Sequence, residues 1–213
     1  MPVSRRKPKL LLFDVSGVLV NCSGGPADLF PKSADPWKVW NASDEVHSFE
    51  TGAIDARQFF RFLNERYELA GGPSSAEAQF ASWPKALFPG VGRLCEQVLA
   101  AGYQLATLSN TNQTHWPRVT EDLGLKRHIE IHHCSHHTGL MKPSPAAYEN
   151  VLERLGLSAS EAVFFDDQQR NVDAAINLGM RAFRTVGLGE VVDVLEAERL
   201  LAPNAVASIR RVG

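Results

Sequence analysis

Leu10-Leu11-Leu12-Phe13-Asp14-Val15-Ser16-Gly17-Val18 is the stretch from which the rest of the chain can be read. Basic residues precede its apolar run, as they would in a signal peptide. Asp14 ends that run after four residues, well short of a signal-peptide core or a membrane span. The run therefore reads as a buried strand, with an acid at its carboxyl end.

From residue 90 onward the pattern alternates between helix and strand. Val91, Leu94, Cys95, Val98 and Leu99 have helical spacing, which predicts a helix over 90–101 that stops at Gly102. Tyr103 to Leu108 reads as a strand. Gln113 to Leu123 reads as a helix with Pro117 in its first turn or at a kink, and Ile129 to Cys134 as a strand. Ser144-Pro145 opens a helix that runs to Gly156. Ala162 to Phe165, Gln169 to Leu178 and Arg181 to Arg184 then read as strand, helix and strand. Such alternation implies an α/β fold: a Rossmann-like parallel sheet with helices on both faces.

Residues 26–88 break the pattern. They lack strand-like runs and are rich in aromatics, from Phe30, Trp37 and Trp40 to Phe80, Trp83 and Phe88. Asp55 and Gln58 form a capping-box-like start to a helix that ends near Gly71-Gly72. The segment is expected to be a small helical domain inserted after the first strand, its aromatics mostly its own core. The rest, 1–25 and 89–213, would be the sheet domain.

The chain has 213 residues, 44% of them hydrophobic, and a formal net charge of -2. That supports a core without staples and gives no reason to expect nucleic acid or an anionic membrane as partner. The basic run Arg5, Arg6, Lys7, Lys9 is short enough to be a solvated tail. Three cysteines, Cys22, Cys95 and Cys134, make no disulfide framework and suit a reducing, cytoplasmic setting. Nothing bears on oligomeric state.

In an open parallel sheet the crevice lies at the carboxyl ends of the strands. Four strand ends or following loops carry polar residues: Asp14 to Ser16, Ser109-Asn110, Lys142 and Asp166-Asp167. Alone, each has a bland reading as turn, surface lysine or helix-terminal acid pair. Together they suit phosphoryl chemistry. Clustered carboxylates repel unless a hard cation such as Mg²⁺ joins them. Mg²⁺ and Lys142 would neutralise a phosphate, Ser109 and backbone N–H groups would bond its oxygens, and Asp14 would attack it.

Those four segments, in that order, resemble the motifs of the haloacid dehalogenase superfamily, with the insertion where the family's helical cap lies. Ser109 to Asn112 with His115, Phe164 to Asp167, and Phe49-Glu50-Thr51-Gly52-Ala53-Ile54 are similar to a branch that includes sugar-1-phosphate phosphatases. The resemblance implies a Mg²⁺-dependent phosphohydrolase acting on a small phosphorylated metabolite through an aspartyl-phosphate. By the same resemblance Asp14 is nucleophile and metal ligand. The Ser16 carbonyl, Asp166 and Asp167 complete the metal site. Ser109, Asn110 and Lys142 contact phosphate, and Lys142 also holds Asp14. His47, Glu50 and His115 are expected to face the substrate.

Ser16 departs from the family, most of whose phosphatases have an aspartate there as general acid and base. A serine hydroxyl is too weak an acid for that work at neutral pH. His47 or Glu50 is a candidate replacement. Two alternatives follow: a catalytically weak, phospho-ligand-binding regulatory protein, or a metal-independent dehalogenase. The acid pair at 166–167 and the lack of an aromatic residue at position 16 argue against the second. His132, His133, His136 and His137 with Cys134 suggest zinc, but neighbours on a strand point to opposite faces and cannot all converge.

Overall fold

A run that is apolar at every position needs cover on both faces, and strand β1 (Leu10–Phe13) has it: all four residues are buried. Leu11 and Phe13 join one hydrophobic core and Leu10 and Leu12 join another. The structure is a computed structural model that describes residues 8–30, 33–67, 69 and 71–212. Arg5, Arg6 and Lys7 of the basic run lie outside these residues, while Lys9 pairs with Glu161 at 2.7 Å.

Among the described residues six further strands follow: β2 (Val20–Cys22), β3 (Pro84–Leu87), β4 (Gln104–Ser109), β5 (Ile131–Cys134), β6 (Ala162–Asp166) and β7 (Arg181–Arg184). Five strands form one sheet in the order β5-β4-β1-β6-β7, with every pair parallel. The α/β expectation therefore holds. β1 is central, and Phe13 pairs in register with Thr107 on one side and Phe165 on the other. The chain thus delivers Asp14, Ser109 and Asp166 to one end of three adjacent strands.

The helices are α1 (Pro36–Ala42), α2 (Asp44–Glu50), α3 (Ala56–Tyr67), α4 (Gly72–Ala81), α5 (Val91–Ala100), α6 (His115–Pro117), α7 (Ser135–Thr138), α8 (Pro145–Leu155), α9 (Gln169–Asn177), α10 (Gly187–Ala197) and α11 (Pro203–Arg210). α5, α10 and α11 cover the Leu11–Phe13 face, while α8 and α9 cover the other. Among the described residues, no helix is long and apolar enough to cross a membrane.

α1 to α4 build a third, aromatic core. Phe49 and Phe59 stack at 4.3 Å with their planes 8° apart. Trp37 and Phe62 stay exposed. The Asp55–Gln58 capping box is formed: Gln58 N–H donates to Asp55 Oδ1 at 2.7 Å, and Asp55 N–H to Gln58 Oε1 at 3.1 Å.

Three expectations need correcting. The helix that box opens ends at Tyr67, and a separate helix begins at Gly72. Residues 26–88 do contain a strand, since Pro84–Leu87 pairs antiparallel with Val20–Cys22. Pro-Lys-Ala-Leu has no strand pattern of its own, so the pairing is imposed by its partner. The helix expected over 113–123 is α-helical only at His115–Pro117 and continues as a π-helix over Arg118–Asp122. Pro117 lacks the N–H that a regular ladder needs. α10 and α11 lie beyond the last element read from sequence.

Candidate active site

The turn after β1 is set by Gly17, whose φ is +81°. A Cβ there would lie 2.7 Å from Asp167 Oδ2, so a bare backbone is required for the loop to press against that carboxylate. Gly17 N–H donates to Val20 O at 2.9 Å and Val20 N–H to Val15 O at 2.8 Å, closing the turn. Asp14 is held at its head, its own N–H donating to Phe165 O at 2.8 Å.

Lys142 is buried, and its ammonium donates to Asp14 Oδ1 at 2.8 Å and Asp166 Oδ2 at 2.7 Å. Asn110 fixes its backbone: the amide donates to Lys142 O at 2.8 Å and accepts from Lys142 N–H at 2.8 Å. The Asn110 side chain is therefore committed to the lysine loop. Asp166 also accepts from Gln168 N–H at 2.8 Å and from the Asn171 amide at 2.9 Å. Asp167 differs: its Oδ1 is buried without any partner among the described residues.

Among the described residues, Asp14, Asp166 and Asp167 are the only group of His, Cys, Asp or Glu placed to hold a metal, their ligand atoms lying within 4.8 Å of one another. Three carboxylates face one ammonium, an excess of negative charge that invites a cation. Burial raises the Asp14 carboxyl; Lys142 pulls it back, and Asp166 and Asp167 push it up again. Asp167 is raised by burial and by Asp166. Burial works to lower Lys142, but Asp14 and Asp166 outweigh it and hold the ammonium charged. Hard oxygen donors with one orphaned oxygen fit Mg²⁺.

Above the carboxylates lies a cavity of about 620 Å³ between the strand ends and the helical insertion. Asp14, Ser16, Asn110, Lys142 and Asp167 line its floor, and Trp37, Asn41, His47 and Glu50 line the opposite side. Ser109 and Asp166 are buried, and among the described residues the Ser109 hydroxyl has no partner. Ser16 and His47 are exposed, whereas Glu50 is buried.

His115 lies between floor and insertion. Its ring stacks on Phe80 at 3.9 Å, and its Nε2 lies 2.8 Å from Phe80 O, which assigns the proton to that nitrogen. Burial lowers it to about 4, so the ring is neutral and clamps α4 to the crevice.

The other histidines do not gather around one point. His132 meets Thr107 Oγ1 at 2.8 Å and packs on Trp116, while His133 turns towards Asn150 and Arg154. Sequence reading missed Asn171, which anchors Asp166. It also missed Arg170, whose guanidinium donates to Asn41 Oδ1 at 2.9 Å across the cavity. Asn171 was detectable as a polar residue beside Val172 and Ala175 on the buried stripe of α9.

Known proteins resemble this chain in sequence and fold. A family model described as haloacid dehalogenase-like hydrolase matches residues 8–179. Flavin mononucleotide hydrolase 1 of Arabidopsis thaliana is 28% identical over 189 residues, covering 83% of this chain and 71% of that protein. A phosphorylated carbohydrates phosphatase of Thermotoga maritima is 24% identical over 208 residues, covering 94% and 93%. A solved magnesium complex of a family enzyme from Bacteroides thetaiotaomicron superposes with a TM-score of 0.70 at 23% identity, covering 85% and 94%. With a model match over most of its length and the carboxylate and lysine groups assembled at the strand ends, the chain belongs to the haloacid dehalogenase-like hydrolases.

Proposed function

We propose that this hydrolase is a Mg²⁺-dependent phosphomonoesterase for a small phosphorylated metabolite, with residues 26–88 acting as its cap. One observation carries the reading: the Asp14 carboxylate has one oxygen tied to buried Lys142, and Asp167 beside it has a buried oxygen with no partner. The names of the Arabidopsis and Thermotoga relatives, one a flavin mononucleotide hydrolase and one a phosphorylated carbohydrates phosphatase, point to the same class of reaction.

Asp14, Asp167, the Ser16 carbonyl and Asp166 would hold the ion. Bound there, Mg²⁺ supplies positive charge against the phosphoryl oxygens. Lys142 keeps Asp14 oriented and ionised and adds its own charge. The Ser109 hydroxyl and backbone N–H groups donate to the phosphoryl group. Asp14 attacks phosphorus, the ester oxygen leaves, and water then releases phosphate from the aspartyl-phosphate. The cap excludes bulk water and contacts the leaving group through His47, Glu50 and the neighbourhood of His115.

The test is phosphate release from a panel of sugar phosphates, nucleotides, flavin mononucleotide and 4-nitrophenyl phosphate, with and without Mg²⁺. Asp14→Asn should lower the rate by about ten-thousandfold or more in a folded protein. Substantial turnover by that variant would overturn the mechanism. Undiminished phosphate release after exhaustive chelation would overturn the Mg²⁺ dependence.

A further inference from the structure

We infer that Glu50 is the acid–base residue of this site, donating the proton to the departing ester oxygen and then taking one from the attacking water. The inference rests on the phosphomonoesterase reading and adds to it the group that does the work Ser16 cannot do.

The cavity offers few candidates. Asp14 and Lys142 are engaged with one another, and Asp167 belongs to the carboxylate group below. His115 has one nitrogen spent on Phe80 O and the other facing the Asn112 amide at 3.5 Å. His47 is on the exposed side of α2. Glu50 remains. It is the last residue of α2, is only 9% exposed, lines the cavity, and has no hydrogen-bond or ion-pair partner for its carboxyl among the described residues.

Its position is fixed from both sides. Phe49, the residue before it, is stacked on Phe59 in the core of the insertion. Gly52, two residues after it, has φ +75°, and a Cβ there would lie 2.4 Å from the His136 carbonyl oxygen of α7. The turn thus lies backbone against backbone on the sheet domain. α7 is tied in turn to the strand-end loop, because Ser135 Oγ accepts from Thr111 N–H and donates to Thr111 O, both at 2.9 Å.

The charged groups that face Glu50 come from three elements: Arg170 of α9, Lys142 of the loop before α8, and Asp14 at the end of β1. Burial raises its carboxyl to about 7, against the pull of Arg170 and Lys142 and with the push of Asp14. Both protonation states are then populated near neutrality, as an acid that must become a base requires.

The steps balance. An Asp14 oxygen forms a bond to phosphorus as the phosphorus–ester oxygen bond breaks. The leaving oxygen takes the Glu50 proton and departs as an alcohol. Glu50, now a carboxylate, takes a proton from water while that water's oxygen bonds to phosphorus. The Asp14–phosphorus bond breaks, phosphate leaves, and Glu50 is again protonated.

The experiment is a leaving-group series at saturating Mg²⁺, using 4-nitrophenyl phosphate, phenyl phosphate and glycerol 3-phosphate, on wild type and Glu50→Gln. At pH 6 the expected result is a shallow dependence in wild type. In Glu50→Gln, kcat/KM for glycerol 3-phosphate should fall about a hundredfold or more relative to that for 4-nitrophenyl phosphate, because kcat/KM reports the steps through ester cleavage and a nitrophenolate leaves without needing a proton. Equal loss across the series, or no loss, would overturn the assignment of Glu50. Wild type alone gives a second reading: its slope should be shallow at pH 6 and steep at pH 8.5, and the same slope at both would also overturn it. Failure of wild type to release phosphate from any ester would instead overturn the phosphomonoesterase reading, and this inference with it.

Discussion

A carboxyl placed where water cannot reach it is a cost to the folded chain unless it keeps its proton. Glu50 shows this, because among the described residues no hydrogen-bond donor reaches its carboxyl and the pull of Arg170 and Lys142 does not offset its burial. Burial raises its pKa from 4.5 to about 7. The folded chain therefore holds this proton more tightly than the unfolded chain does. The stability so gained is complete below pH 4.5 and is lost as pH climbs through about 7. At most it amounts to roughly 3 kcal/mol. Glu50→Gln keeps the shape and removes the ionisation. In metal-free protein the variant should match wild type in Tm near pH 5 and exceed it at pH 8. A Tm difference independent of pH would show that Glu50 does not ionise in that range. Residue-level partners of this kind were only partly legible in the sequence. Asp14, Lys142 and Asp167 carry charge at strand ends and could be named. Asn110 was named as a phosphate contact, and that its amide also bonds the Lys142 backbone could not be read. A side chain's partner in a distant loop leaves no mark on local spacing.

At the scale of elements, the turn after α2 joins the insertion to the sheet domain. Gly52→Ala would put a methyl group against the His136 carbonyl oxygen and hold a left-handed φ on a residue that disfavours it. The cost should be about 1–3 kcal/mol. Because the strain falls two residues from Glu50, glycerol 3-phosphate turnover should fall more than 4-nitrophenyl phosphate turnover. Denaturant unfolding and the two rates measure both effects, and a variant as stable as wild type would mean that the contact with α7 can relax. This turn also shows which elements the sequence discloses. Helices opened by local side-chain bonds, such as the Asp55–Gln58 box, are legible because the signal and the structure occupy the same few residues. Pro84–Leu87 becomes a strand through pairing with Val20–Cys22, some sixty residues upstream. Only the folded chain brings those two segments together.

The whole molecule is built around a conflict between packing and charge. Pairing of β1 with β6, in register from Leu10 to Phe13, brings Asp14 beside Asp166 and Asp167. The hydrophobic cores on the two faces of the sheet enforce that pairing regardless of the repulsion at its end. Lys142 offsets part of the charge and is itself held by Asn110. What remains is a set of oxygen donors that exists only in the folded chain. A cation that binds them therefore stabilises the fold by mass action, by about 1.4 kcal/mol for each tenfold rise in its concentration above Kd. Thermal melts in Mg²⁺ across the millimolar range should show Tm rising with the logarithm of concentration. Asp167→Asn removes a charge and the orphaned donor without touching the Lys142 ion pairs, so its metal-free Tm should equal or exceed that of wild type, and its Mg²⁺ response should be largely lost. A flat wild-type response would mean that Asp14, Asp166 and Asp167 do not hold the ion. An Asp167→Asn response as large as the wild type's would move the ion away from Asp167.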